Sequence, residues 1–127
     1  MSLRRARIAA WLLIVAQVAH AITPSDTGEH SIVGPITGVV LLGLSVAALV
    51  GLKRGRQNAD VLLGWTGFAV ALGFVLYHAS PWHSPFTRPY LDEPVGGPAW
   101  ISVAFAIAAG VWAAFVGLSR ARAHASE

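Results

Sequence analysis

The residues of this chain best suited to chemistry are its histidines, His20, His30, His78, His83 and His124. Neutral imidazole binds copper, zinc, iron and nickel, and it exchanges a proton near neutral pH. Four of the five, His20, His30, His78 and His83, sit where apolar segments meet polar ones, and the layout below places those four at one depth. They form the candidate ligand set for a transition metal, copper or zinc. Asp26, Glu29, Asp92 and Glu93 stand in the same connectors and could complete a shell or fix the imidazole tautomers. The spacing limits this reading. His78 and His83 are five apart, so they converge only if Ser80-Pro81 breaks the helix, and no H-E-x-x-H signature is present.

Two further ligands use the same residues. A b-type haem needs two axial imidazoles on facing helices, and His20 with His78 is the pair at matching depth. A quinone or lipid site would take His78 with Trp82 and Arg88, so His20, His78, Trp82 and Arg88 are the candidate cofactor-binding residues. Ser80, Ser84 and Thr87 lie near histidines and carboxylates, but no G-x-S-x-G elbow accompanies them and no catalytic residue is assigned. Cysteine is absent, which excludes thiolate ligands, a cysteine nucleophile and disulfides.

Composition dictates what positions these groups. Of 127 residues, 55% are hydrophobic and 12% charged, and the mean hydropathy is +0.61. Soluble domains carry about 25% charged residues, so this chain lacks the polar surface to stay in water. Apolar stretches predict four helices over about 5–22 (the apolar run itself starting at Arg7), 32–52, 60–78 and 98–119. At about 1.5 Å per residue the last three reach about 30 Å, the thickness of a hydrocarbon core. The first is shorter and needs Arg4, Arg5 and Arg7 to snorkel towards headgroups. Its basic start, apolar run and Ala19-His20-Ala21 also fit a secretory signal peptide. We read it as a retained helix. The expected fold is all-α, a four-helix transmembrane bundle forming one domain over 1–127.

Basic residues set the orientation. Arg4, Arg5 and Arg7 precede the first span, Lys53, Arg54 and Arg56 separate the second from the third, and Arg120 and Arg122 follow the fourth. Eight of the nine Lys and Arg thus fall on one side, with Arg88 alone opposite. The positive-inside rule then puts both termini in the cytoplasm, N-in and C-in, and His20, His30, His78 and His83 outside. This charge bias argues against a dual-topology small transporter. The pI of 10.2 is explained by topology, and nucleic acid is excluded as a partner. The Ala- and Arg-rich composition looks like that of a high-GC bacterial membrane protein, which would place the chain in the inner (plasma) membrane as a multi-pass protein.

Small residues forecast the packing. Gly34 with Gly38, then Gly64, Gly67 and Ala71, then Ser102, Ala106, Ala109 and Ala113 share helix faces, predicting close contacts and little internal cavity. Gln17 is expected to hydrogen-bond between helices, and the tail from Arg120 to Glu127 to fray. The outer loop, 79–97, carries proline followed by an aromatic at Pro81-Trp82, Pro85-Phe86 and Pro89-Tyr90. Dense proline forbids a long helix there. Such backbone cannot face lipid tails, so the loop should lie across the bundle mouth as an aromatic anchor or a lid.

The leading expectation for function is an accessory or structural subunit, packing against a larger membrane partner or forming a homo-oligomer within the bilayer. A metal- or haem-binding module is the first alternative, and a quinone- or lipid-binding or small transporter-like protein the next. A carrier is disfavoured because no charge lies at mid-membrane.

Overall fold

The structure, a computed structural model, describes residues 1–24, 33–81, 90–91 and 95–126. It consists of α1 (Leu3–Ile22), α2 (Val33–Lys53), α3 (Ala59–His78) and α4 (Gly97–Ala125). All four are long and apolar enough to cross a membrane, and no strand occurs among the described residues. Lipid is the solvent that suits their outer surfaces, since Val39, Ile101 and Phe115 are 72%, 71% and 65% exposed.

The elements begin and end for local reasons. Ser2 caps α1, its hydroxyl accepting the Arg5 N–H at 3.4 Å, which starts the helix earlier than its apolar run. Gly55 turns the chain between α2 and α3 at φ +67°, a left-handed conformation glycine adopts without strain. Pro98 lies in the first turn of α4, where its missing N–H costs nothing. α4 then runs 29 residues to Ala125, about 43 Å. The sequence reading ended this helix at 119 and left a frayed tail; the structure corrects that. Arg120 is anchored instead, its Nε donating to Asp60 Oδ1 at 2.8 Å and a terminal nitrogen to the Met1 carbonyl at 2.6 Å. These bonds also place the two ends of the chain at one end of the bundle, called here the terminal end.

α1 and α3 occupy opposite corners and meet little, while α2 and α4 fill the corners between them. The α3–α4 contact is the closest. A Cβ built on Gly67 would lie 2.6 Å from both Ala114 N and Gly110 O, and Gly64, Gly110 and Gly117 are equally crowded. Backbones approach this nearly only where side chains vanish. The stripe of Ser102, Ala106, Ala109 and Ala113 is buried as expected, with Ala6, Ala9, Ala10, Leu13 and Ala16 of α1 completing the core.

α2 departs from expectation. Its buried residues are Ser45, Ala48, Leu49, Gly51 and Leu52, all in its second half. Of the Gly34–Gly38 pair only Gly34 makes a contact, with the Tyr77 ring, and a Cβ on Gly38 would meet nothing within 4 Å. The cause lies in what faces it. Near the terminal end small residues such as Ala59 let α2 approach, as the contact between Gly51 and the Ala59 Cβ shows. At the far end His20, Phe74, Tyr77 and His78 occupy that side and hold α2 off.

Candidate functional site: a cavity at the far end of the bundle

The gap left by α2 is a cavity of about 700 Å³, against the sequence expectation of little internal space. Its walls are the far ends of α1 and α3 and the first half of α2, with Tyr90 from the 79–97 connection at its edge. Leu41, Leu42, Leu76 and Phe74 supply apolar surface, while Gln17, His20, Thr23, Tyr77 and His78 carry the polar groups. Gly38 and Gly73 both border it with open space where a Cβ would stand.

The rings interlock. His20 sits edge-on to Phe74 (centroids 4.7 Å, 75°) and to His78 (4.9 Å, 66°). His78 in turn packs against Tyr77 at 4.8 Å and Tyr90 at 4.3 Å. Edge-to-face stacking of this kind favours fixed ring positions. Tyr90 folds back over the helix end, its N–H donating to the His78 carbonyl at 2.8 Å. It is 4% exposed and stacks at 5.6 Å on Trp100. Tyr90 is thus buried against the far ends of α3 and α4; most of the 79–97 connection, to which the anchor and lid roles belong, lies outside the described residues.

Two polar side chains of α1 are fixed by serines on flanking helices. Gln17 Nε2 donates to its own helix at Leu13 O (3.1 Å) and to Ser45 Oγ of α2 (2.8 Å), the interhelical bond expected of it. Ser45 passes its proton back to Leu41 O at 2.8 Å. His20 Nδ1 lies 3.0 Å from Ser102 Oγ of α4, and Ser102 donates to Ala99 O at 2.7 Å. A carbonyl only accepts, so the serine proton is committed there and Nδ1 must carry the proton of the second contact. Thr23 repeats the pattern, donating to Ala19 O at 2.7 Å.

Of the candidate residues, the structure brings His20 and His78 together. His30, His83, Trp82 and Arg88 lie outside the described residues, as do Asp26, Glu29, Asp92 and Glu93. Among the described residues no three His, Asp or Glu side chains gather as a metal site would need. Nor does the His20–His78 pair have the arrangement of two axial haem ligands, because one ring's edge meets the other's face without a gap for a macrocycle. His124 belongs to the other end, 3.7 Å from Asp60. Sequence reasoning missed the wall made by Phe74 and Tyr77, since aromatic residues near a helix end read as interfacial anchors. It also missed Ser45 as a partner. The available signal was its position, a hydroxyl residue in the middle of an apolar span.

No protein-family model, no curated protein and no solved structure matches the chain.

Proposed function

We propose that this is a small integral membrane protein, with both termini in the cytoplasm, that binds a lipid-soluble molecule of the quinone or lipid class in the far-end cavity. The observation that carries the reading is the cavity itself, about 700 Å³, in a bundle whose α3–α4 seam is packed backbone to backbone. Ligand sites have this size and this make-up, apolar walls with a few convergent polar groups. Its place also suits such a ligand. It opens beside the half of α2 that the rest of the bundle leaves exposed, so a molecule dissolved in the bilayer could enter sideways. With the basic clusters on the cytoplasmic side, the cavity lies in the outer half of the membrane. The accessory-subunit expectation rested on small size, small-residue helix faces and the lack of a catalytic signature; none of these calls for a cavity, and the cavity supports binding.

The test is to fill the cavity. Gly73→Leu places a side chain where Gly73 now borders open space, leaving the α3–α4 face untouched. Mass spectrometry of purified wild-type protein should find one lipid-soluble species enriched over the surrounding membrane, at a near-stoichiometric level. In Gly73→Leu that enrichment should fall at least about tenfold, the consequence of losing roughly 1.4 kcal/mol or more of binding. A wild-type lipid profile identical to that of the bulk membrane would overturn the reading.

A further inference from the structure

The polar groups on the α1 wall share a property that selects the ligand's head. Gln17 and His20 of α1 and its C-cap Thr23 follow at intervals of three and all border the cavity, so they form one stripe along that wall. Each has its protons committed to the protein. Both N–H bonds of Gln17 are used, one by Leu13 O and one by Ser45 Oγ. The amide cannot be reversed, because its oxygen would then face the lone pairs of the Leu13 carbonyl. What remains of Gln17 is Oε1. The Nδ1 proton of His20 goes to Ser102, so the other nitrogen of the neutral ring, Nε2, is a bare lone pair that no described residue takes up. The Thr23 proton goes to Ala19 O, leaving an oxygen that can only accept. Three successive groups therefore offer acceptors and no donor. The Tyr77 hydroxyl, near Gly34 on the opposite wall, can serve either way.

We infer that the cavity selects a lipid-soluble molecule whose head is a hydroxyl donor, an alcohol or phenol such as a quinol, over a head that only accepts, such as an ether or a quinone. The inference rests on the cavity being a ligand site. A hydroxyl entering it gives its proton to His20 Nε2 or Gln17 Oε1 and leaves every protein bond in place. Seated against the α1 stripe, a carbonyl or ether oxygen brings lone pairs against lone pairs and strips water from three acceptors without replacing it. Only the donors of the α3 wall, Tyr77 and His78, are left to meet it, and sites built to bond a hydroxyl reject analogues lacking one. The two serines are what fix this. Each is turned to a carbonyl of its own helix, and so becomes the acceptor that draws off the donor of its α1 neighbour.

4-Nonylphenol and 4-octylanisole test it, being isomers of equal size that differ in whether the oxygen carries a proton. Equilibrium binding to the full chain in nanodiscs, corrected for partition into empty nanodiscs, should favour the phenol roughly tenfold, the value of about one buried hydrogen bond. His20→Phe keeps a ring against Phe74 and His78 and removes Nε2; there the preference should shrink to about twofold. The wild-type comparison needs no variant, so a His20→Phe protein that fails to fold leaves the test intact. If wild type binds the isomers equally, or prefers the anisole, and Gly73→Leu abolishes both, the donor selectivity is overturned while the cavity reading stands. If neither isomer binds, both fall.

Discussion

At the scale of single residues, the most consequential pairing outside the cavity is Asp60 with Arg120. Their side chains are 7% and 12% exposed and meet at 2.8 Å, at the terminal end of α3 and α4. A charge this sheltered is costly once its partner goes, whereas removing both partners leaves an apolar contact that packs acceptably. Asp60→Leu should therefore lower the unfolding free energy by about 3 kcal/mol, and the double substitution Asp60→Leu/Arg120→Leu should recover at least half of that loss. Chemical denaturation in detergent micelles measures both, and strictly additive losses would contradict the account. The pair was partly legible in the sequence. Asp60 and Glu127 are the only acidic residues outside the two far-end connectors, so an acid among the basic clusters was there to be noticed. Its partner was not legible, because pairing residues 60 apart requires knowing how α4 lies on α3.

Helices show where sequence patterns suffice and where they fail. Gly64, Gly67 and Ala71 predict a contact face, and the close α3–α4 seam is found there because glycine at both surfaces is a sufficient cause. Gly34 and Gly38 carry the same spacing and yield one contact, with Tyr77, and otherwise open space. Spacing states what a helix permits, and the partner decides whether the permission is used. Bulky His20, Phe74, Tyr77 and His78 refuse it at one end. Substitution separates the two cases. Gly67→Val inserts a branched side chain where a Cβ alone would sit 2.6 Å from backbone atoms of α4. It should destabilise the bundle by about 3 kcal/mol or prevent folding. Gly43→Ala, which meets nothing within 4 Å, should be neutral or raise stability by up to about 1 kcal/mol. Thermal unfolding of the two variants side by side checks this, and equal effects would remove the distinction between the seam and the open half of α2. The helix ends follow the same logic. α4 extends to Ala125 because Arg120 finds Asp60 and the Met1 carbonyl, contacts that no local pattern encodes.

As a whole the molecule is two unlike halves of one bundle. The terminal half brings α2, α3 and α4 together at glycine and alanine, and the Asp60–Arg120 pair clasps it beside a second, more polar pocket of about 530 Å³. The far half is opened by rings and lined, on α1, by acceptors. Composition and hydropathy made four apolar helices legible, and His20 and His78 stand at the end where the cavity lies. They did not show what the end encloses, because a cavity is what remains after packing and has no residue of its own. The most direct test of that enclosure is saturable photolabelling of the full chain in nanodiscs with a diazirine-bearing alkylphenol. Adducts on the cavity residues Leu42, Leu76 and Tyr77 should saturate with probe and fall at least about fivefold under excess 4-nonylphenol, while adducts on lipid-facing Phe115, 65% exposed, should rise linearly and resist competition. Labelling that is linear and uncompeted at Leu42, Leu76 and Tyr77 as at Phe115 would contradict the account.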